Sequence, residues 1–219
     1  MLFHSLQRRF RARRMALLAR TLGITQDTRV LDVGGTIDIW RVAPVMPRLV
    51  LLNSQRARYE IGAAEGIVLG DGTSLPFADG SFDLVFSNSV IEHVGSREQQ
   101  ARFAAEIARV GKQYWVQTPN RYFPIEHHLW TPFLHWLPRP WQAAMLKRFS
   151  VWQVLTRATT TERDYYVKHY LDSIRLLGAS DLQALFPGAT VVKERFLGWT
   201  KSLIAYQDIR RANGKRGVP

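Results

Sequence analysis

Five short aliphatic and β-branched runs, at residues 28–35, 49–52, 66–69, 82–87 and 113–117, each close on a turn-forming residue. Runs this short and this apolar are strands buried on both faces, the condition of a parallel sheet covered by helices. The intervening stretches agree. Residues 15–22 continue an amphipathic helix begun in the arginine-rich start and closed by Gly23, and residues 98–110 place Phe103, Ala104, Ile107 and Val110 on one face before Gly111 stops them. Two later runs, 191–196 and 202–206, are joined by a link too short for a crossover and must pair antiparallel. The expected fold is α/β: a doubly wound, Rossmann-like, mostly parallel seven-stranded sheet ending in an antiparallel hairpin, with an aromatic-rich helical cap.

The 219 residues suffice for one domain. It reads as a basic helix (1–27), a ligand-binding core (28–120), a cap (121–180) and a C-terminal hairpin with its tail (181–219). The absence of cysteine removes disulfides, thiolate zinc sites, iron–sulfur clusters and thiol nucleophiles. Of six histidines only His127 and His128 are close in sequence, and no HExxH pattern exists, so no metal is expected. No run of about 18 apolar residues is present to span a bilayer, and no apolar segment of about 7–15 residues follows the first arginines as in a secretory signal.

The net charge of +12 favours approach to nucleic acid, anionic lipid or phosphorylated substrates. Much of the excess lies in Arg8, Arg9, Arg11, Arg13, Arg14 and Arg20 and again in Arg210, Arg211, Lys215 and Arg216, read as a solvated helix face and a tail. The expected location is cytoplasmic, with peripheral contact to an anionic membrane surface.

Sheets of this kind bind ligands outside the carboxyl ends of their strands. The loop Asp32-Val33-Gly34-Gly35-Thr36 follows the first strand, and its glycines admit close backbone approach. Asn53 ends the second strand where a nucleoside binder needs a partner for ribose hydroxyls. Asp71 follows the third, placed to accept from an adenine amino group, and Ser87, Asn88 and Ser89 follow the fourth, closing the floor.

Three blocks together, residues 30–35, Gly70-Asp71-Gly72-Thr73-Ser74-Leu75-Pro76-Phe77, and Phe82-Asp83-Leu84-Val85-Phe86-Ser87-Asn88-Ser89-Val90-Ile91-Glu92-His93-Val94, resemble the type 11 group of class I S-adenosylmethionine (SAM) dependent methyltransferases. The resemblance covers about residues 28–120 and implies a SAM site. Asp32, Gly34 and Gly35, with Thr36 in the same loop, would border the methionine part, Asn53 the ribose, Asp71 and Gly72 the adenine, and Asn88 the pocket floor. The chain departs from the family pattern where Thr36 and Asp38 occupy glycine positions and where Asn53 replaces an acidic residue.

Methyl transfer from a sulfonium needs proximity and alignment, with a base only where the acceptor must lose a proton. His93, Glu126, His127 and His128 are the candidates. Residues 121–157 follow the fifth strand and crowd Tyr122, Phe123, Trp130, Phe133, Trp136, Trp141, Phe149 and Trp152, the expected acceptor cap, with Tyr122, Trp130 and Trp136 as substrate contacts. The leading expectation is a small-molecule or lipid-like acceptor. The alternatives are an RNA or DNA methyltransferase and an inactive binding protein of the same fold. Thr118-Pro119-Asn120 is not the Asn/Asp-Pro-Pro-Tyr/Phe element of base amino methylation, and cytosine C5 chemistry through a cysteine is excluded.

Overall fold

The computed structural model describes residues 2–54, 64–126, 128–148, 154 and 156–208, with side chains from residue 7 onward. Helix α1 (Leu2–Leu22) leads into β1 (Arg29–Val33), the short α2 (Ile37–Trp40), β2 (Arg48–Asn53), β3 (Gly66–Leu69) and β4 (Phe82–Asn88). A 3₁₀ turn (Ile91–His93) precedes α3 (Arg97–Val110) and β5 (Gly111–Pro119). After a second such turn (Leu134–Trp136) come α4 (Arg139–Arg148), α5 (Thr160–Ser173), α6 (Ala179–Leu185), β6 (Thr190–Phe196) and β7 (Trp199–Gln207).

The seven strands form one sheet in the order β3-β2-β1-β4-β5-β7-β6. Contacts among the first five are parallel, while β7 pairs antiparallel with both β5 and β6. The hairpin link is tighter than the 197–201 segment read from the sequence. Strand pairing continues to Phe196 opposite Trp199, leaving only Leu197 and Gly198 in the turn, with φ of 49° and 82°. Two successive positive-φ residues give the turn whose twist matches the flanking strands.

Alternation along β1 serves two cores: Leu31 and Val33 pack with Val85, Phe103 and Ile107 under α3, while Val30 packs with Met15, Leu18, Trp40 and Trp115 under α1 and α2. Helix α3 opens with a reciprocal Ser96–Gln99 capping box and buries Phe103, Ala104, Ile107 and Val110. Gly111 then turns the chain straight into β5, where a Cβ would lie 2.5 Å from the Gln113 carbonyl oxygen and 2.8 Å from Val85. Only glycine permits that approach.

The solvated face expected of the first arginines holds for Arg8, Arg9, Arg11, Arg13 and Arg20, which are exposed, but not for Arg14, which is 6% exposed. Its Nε and Nη2 donate to the two Glu194 carboxylate oxygens at 2.9 and 2.5 Å, and its Nη1 donates to Asn88 Oδ1 at 2.5 Å and Gln117 Oε1 at 3.1 Å. A guanidinium can cross from α1 to three strands because its five donors lie in a rigid fork. The C-terminal arginines and Lys215 lie outside the described residues.

Between β5 and α6, a small third core joins Leu129, Leu134, Leu146, Val167, Tyr170 and Ile174. This core is mostly aliphatic: Tyr122, Phe133, Trp136 and Trp141 are exposed, and Phe149 and Trp152 lie outside the described residues. Among the described residues, no helix is long and apolar enough to cross a membrane.

Candidate active site

The carboxyl ends of β1, β2 and β4 and the turn after β3 open onto one cavity of about 450 Å³. Gly34, Asn53, Asp71 and Gly72 line it, together with His93, Ser89 and Phe103. Gly34 has φ +78°, and a Cβ there would stand 2.6 Å from Val90 Cγ2. At Gly72 a Cβ would meet the Phe103 ring at 2.7 Å. Asn53 Nδ2 donates to the Gly35 carbonyl oxygen at 3.1 Å, tying the end of β2 to the glycine loop. Asp71 Oδ1 accepts from the Thr73 amide and hydroxyl, both at 2.8 Å, and so fixes its own turn.

Asp32, Gly35, Thr36 and Asn88 do not line this cavity. Side chains alternate along a strand, so while Val33 faces the cavity, Asp32 points to the opposite face. There its Oδ2 accepts from Trp40 Nε1 at 2.8 Å, and its carboxylate lies so close beneath Gly35 that a Cβ would come within 2.0 Å of it. Burial pushes the Asp32 pKa up to about 7, against the lowering effect of the Trp40 hydrogen bond. Asp32 therefore shapes the loop from below. Asn88 is turned toward α1 and held by Arg14, and Thr36 stands at the start of α2.

Beside the cavity, the 3₁₀ turn after β4 and the segment after β5 bring four titratable side chains together. Glu92 and Glu126 are both fully buried. Glu92 Oε2 accepts from Thr118 Oγ1 at 2.9 Å, Oε1 has no hydrogen-bond partner among the described residues, and burial raises the pKa to about 7. Glu126 Oε2 accepts from the His128 and Leu129 amides at 2.8 and 2.6 Å, and Oε1 lies 2.6 Å from His128 Nδ1. His128 Nε2 in turn stands 3.2 Å from His93 Nε2, with the rings at 82°.

Burial opposes the charged form of both rings, with different results. For His128 the hydrogen bond and charge of Glu126 outweigh it and raise the pKa, whereas His93, beside His128, is pushed down to about 4. Of the predicted catalytic residues, His93, Glu126 and His128 thus converge, and His127 lies outside the described residues. Glu92 was not singled out from the sequence, although it adjoins His93 in the same motif.

A second cavity, about 670 Å³, is lined by Arg97, Arg121, Arg139 and Arg175 with Tyr122, His135, Trp136 and Tyr170. Of the three expected substrate contacts, Tyr122 and Trp136 are on this wall and Trp130 is not. Trp136 Nε1 donates to the Arg121 carbonyl oxygen at 2.9 Å. Arg97 and Arg121 share Asp181, but Arg139 and Arg175 donate to backbone carbonyls and, among the described residues, form no ion pair. Tyr170 lines the second cavity, and its ring centre is 6.2 Å from that of His128, which stacks edgewise on His93 in the wall of the first.

The methyltransferase domain family of type 11 matches residues 42–114, a span that starts after the glycine loop and ends in β5. A protein of Encephalitozoon cuniculi named as a methyltransferase is 39% identical over 92 residues, which are 40% of this chain and 42% of that protein's length. The fold is shared with a Rhodobacter sphaeroides protein described as a zinc-dependent alcohol dehydrogenase, at 13% identity and TM-score 0.57 over 84% of each chain. It is shared equally with the magnesium protoporphyrin IX methyltransferase of Synechocystis, solved with bound S-adenosylhomocysteine, at 10% identity and TM-score 0.52 over 91% of this chain and 82% of the other. At such identities these two likenesses speak to the fold alone.

Proposed function

We propose that this chain is a class I methyltransferase and transfers the methyl group of SAM to a small anionic acceptor with a flat or lipid-like apolar body, a reading that the family match and the sheet topology support. The observation that carries the reading is a pair of cavities, one lined by Gly34, Asn53 and Asp71 with His93 in its wall and one lined by arginines and aromatics. The first is of the size ligand sites have. Its glycines allow close approach, Asn53 offers an amide to ribose hydroxyls, and Asp71 offers a carboxylate to the adenine amino group. When bound, SAM supplies a sulfonium-activated methyl group, so the chain's own task is alignment and water exclusion.

In the second cavity, Arg139 and Arg175 suit a carboxylate or phosphate, while Tyr122 and Trp136 suit a planar or aliphatic body. Tyr170, on the wall of that cavity, has its ring centre 6.2 Å from that of His128. The proton of an oxygen or nitrogen acceptor would be lost to the His93–His128 imidazole pair. Incubation with methyl-labelled SAM and a fractionated cell extract tests the reading. Label in an anionic small-molecule or lipid fraction supports it, and label confined to RNA or DNA overturns the acceptor assignment.

A further inference from the structure

Glu92 and Glu126 have no exposed surface, and among the described residues neither pairs with a lysine or arginine. A buried carboxylate charge is costly unless compensated, and among the described residues the His93–His128 imidazole pair lies beside both carboxylates. We propose that Glu92, His93 and His128 bind one divalent ion of the zinc class, with Glu126 orienting His128. A carboxylate oxygen of Glu92 and ring nitrogens of the two histidines lie within 4.8 Å of one another.

Two features distinguish this cluster from an incidental meeting of polar groups. The two Nε2 atoms are 3.2 Å apart, while tetrahedral zinc with bonds of about 2.0–2.1 Å sets its ligand atoms roughly 3.3 Å apart. His128 also directs Nδ1 at the buried Glu126 carboxylate. This arrangement keeps the proton on Nδ1 and leaves the Nε2 lone pair for a metal, as carboxylates behind ligating histidines do. Glu92 is prepared from its other side, because Thr118 engages Oε2 and leaves buried Oε1 without a partner.

Two imidazoles and one carboxylate leave a coordination position open, as in catalytic rather than structural zinc sites. A divalent ion also balances the two carboxylate charges. Its role rests on the methyl-transfer reading: an acceptor hydroxyl on the open position would ionise near neutral pH, and the imidazoles would act as ligands instead of bases. Binding of the ion does not rest on that reading.

The full chain, stripped of metal with a chelator, would be titrated with Co²⁺ and followed by visible absorption, then challenged with Zn²⁺. The expectation is one equivalent bound with the intense bands of a low-coordinate cobalt site, displaced by Zn²⁺. Glu92→Gln and His128→Ala should each weaken binding by at least about tenfold, Glu126→Gln by about 10- to 100-fold, and His135→Ala not at all. Glu92→Gln is nearly isosteric and keeps an acceptor for Thr118, so it answers even if His128→Ala fails to fold. Absence of stoichiometric binding, or binding unchanged in Glu92→Gln and His128→Ala, would overturn the site and leave a proton-sharing histidine pair. SAM calorimetry on the metal-free chain separates the two ideas, because loss of the metal site alone leaves that binding intact.

Discussion

Removing the Arg14 side chain should destabilise the fold far more than removing any of its arginine neighbours in α1. Arg14 and Glu194 have side chains only 7% and 13% exposed, and the guanidinium also serves Asn88 and Gln117. In Arg14→Ala the Glu194 carboxylate would stay almost dry, with only the Ser202 hydroxyl donating to it. Stripping one partner from a buried pair costs about 3–5 kcal/mol. The residual exposure of Glu194 favours the lower end, near 3 kcal/mol, and at roughly 2–4 °C per kcal/mol for a chain of this size the melting point should fall by about 6–12 °C. Arg13→Ala, at an exposed position of the same helix, should stay within about 0.5 kcal/mol. Urea unfolding of the two variants beside the parent makes the comparison, and Arg14→Met with Glu194→Leu should recover most of the loss, since a matched apolar pair leaves no stranded charge. Equal stability of Arg14→Ala and Arg13→Ala would refute the reasoning.

Other outcomes follow from the same geometry. Asp71→Ala should weaken SAM binding by about 1–3 kcal/mol if the carboxylate accepts from the adenine, and unchanged affinity in calorimetry would remove that assignment. Trp136→Ala, at a half-exposed position, should reduce transfer to the acceptor while leaving SAM affinity within about twofold, roughly 0.4 kcal/mol; severe loss of SAM binding with normal transfer at saturation would place the residue in the cofactor site instead. Asp32 has a pKa raised from 3.8 to about 7, so the folded state retains a proton that the unfolded chain releases, and stability falls as pH rises from about 4 to about 7. Asp32→Asn should therefore gain on the parent across that window, by an order of 3–4 kcal/mol at pH 8, and a pH-independent difference in urea unfolding would contradict this.

The five parallel strands were legible because burial on both faces leaves an uninterrupted apolar run, and the hairpin because its link is too short for a crossover. Gly34, Asn53, Asp71 and Gly72 were legible as strand-end residues, and all four reach one cavity. Asp32 and Asn88 do not line that cavity, and for Asp32 the signal was present: with period two along a strand, it faces away from the side that Val33 presents. Arg14 could not be told from Arg13 by local pattern, since its partner Glu194 lies 180 positions away. The convergence of His93 with His128 is likewise a product of the fold, which closes a separation of 35 positions.

Calorimetric titration of the folded chain with SAM tests the central claim most directly. The account predicts one site per chain, competition by S-adenosylhomocysteine, and marked weakening in Asn53→Ala, which lines the cavity at the strand ends and donates to the Gly35 carbonyl. No heat of binding from a demonstrably folded protein, or binding that Asn53→Ala and Asp71→Ala both leave unchanged, would contradict it.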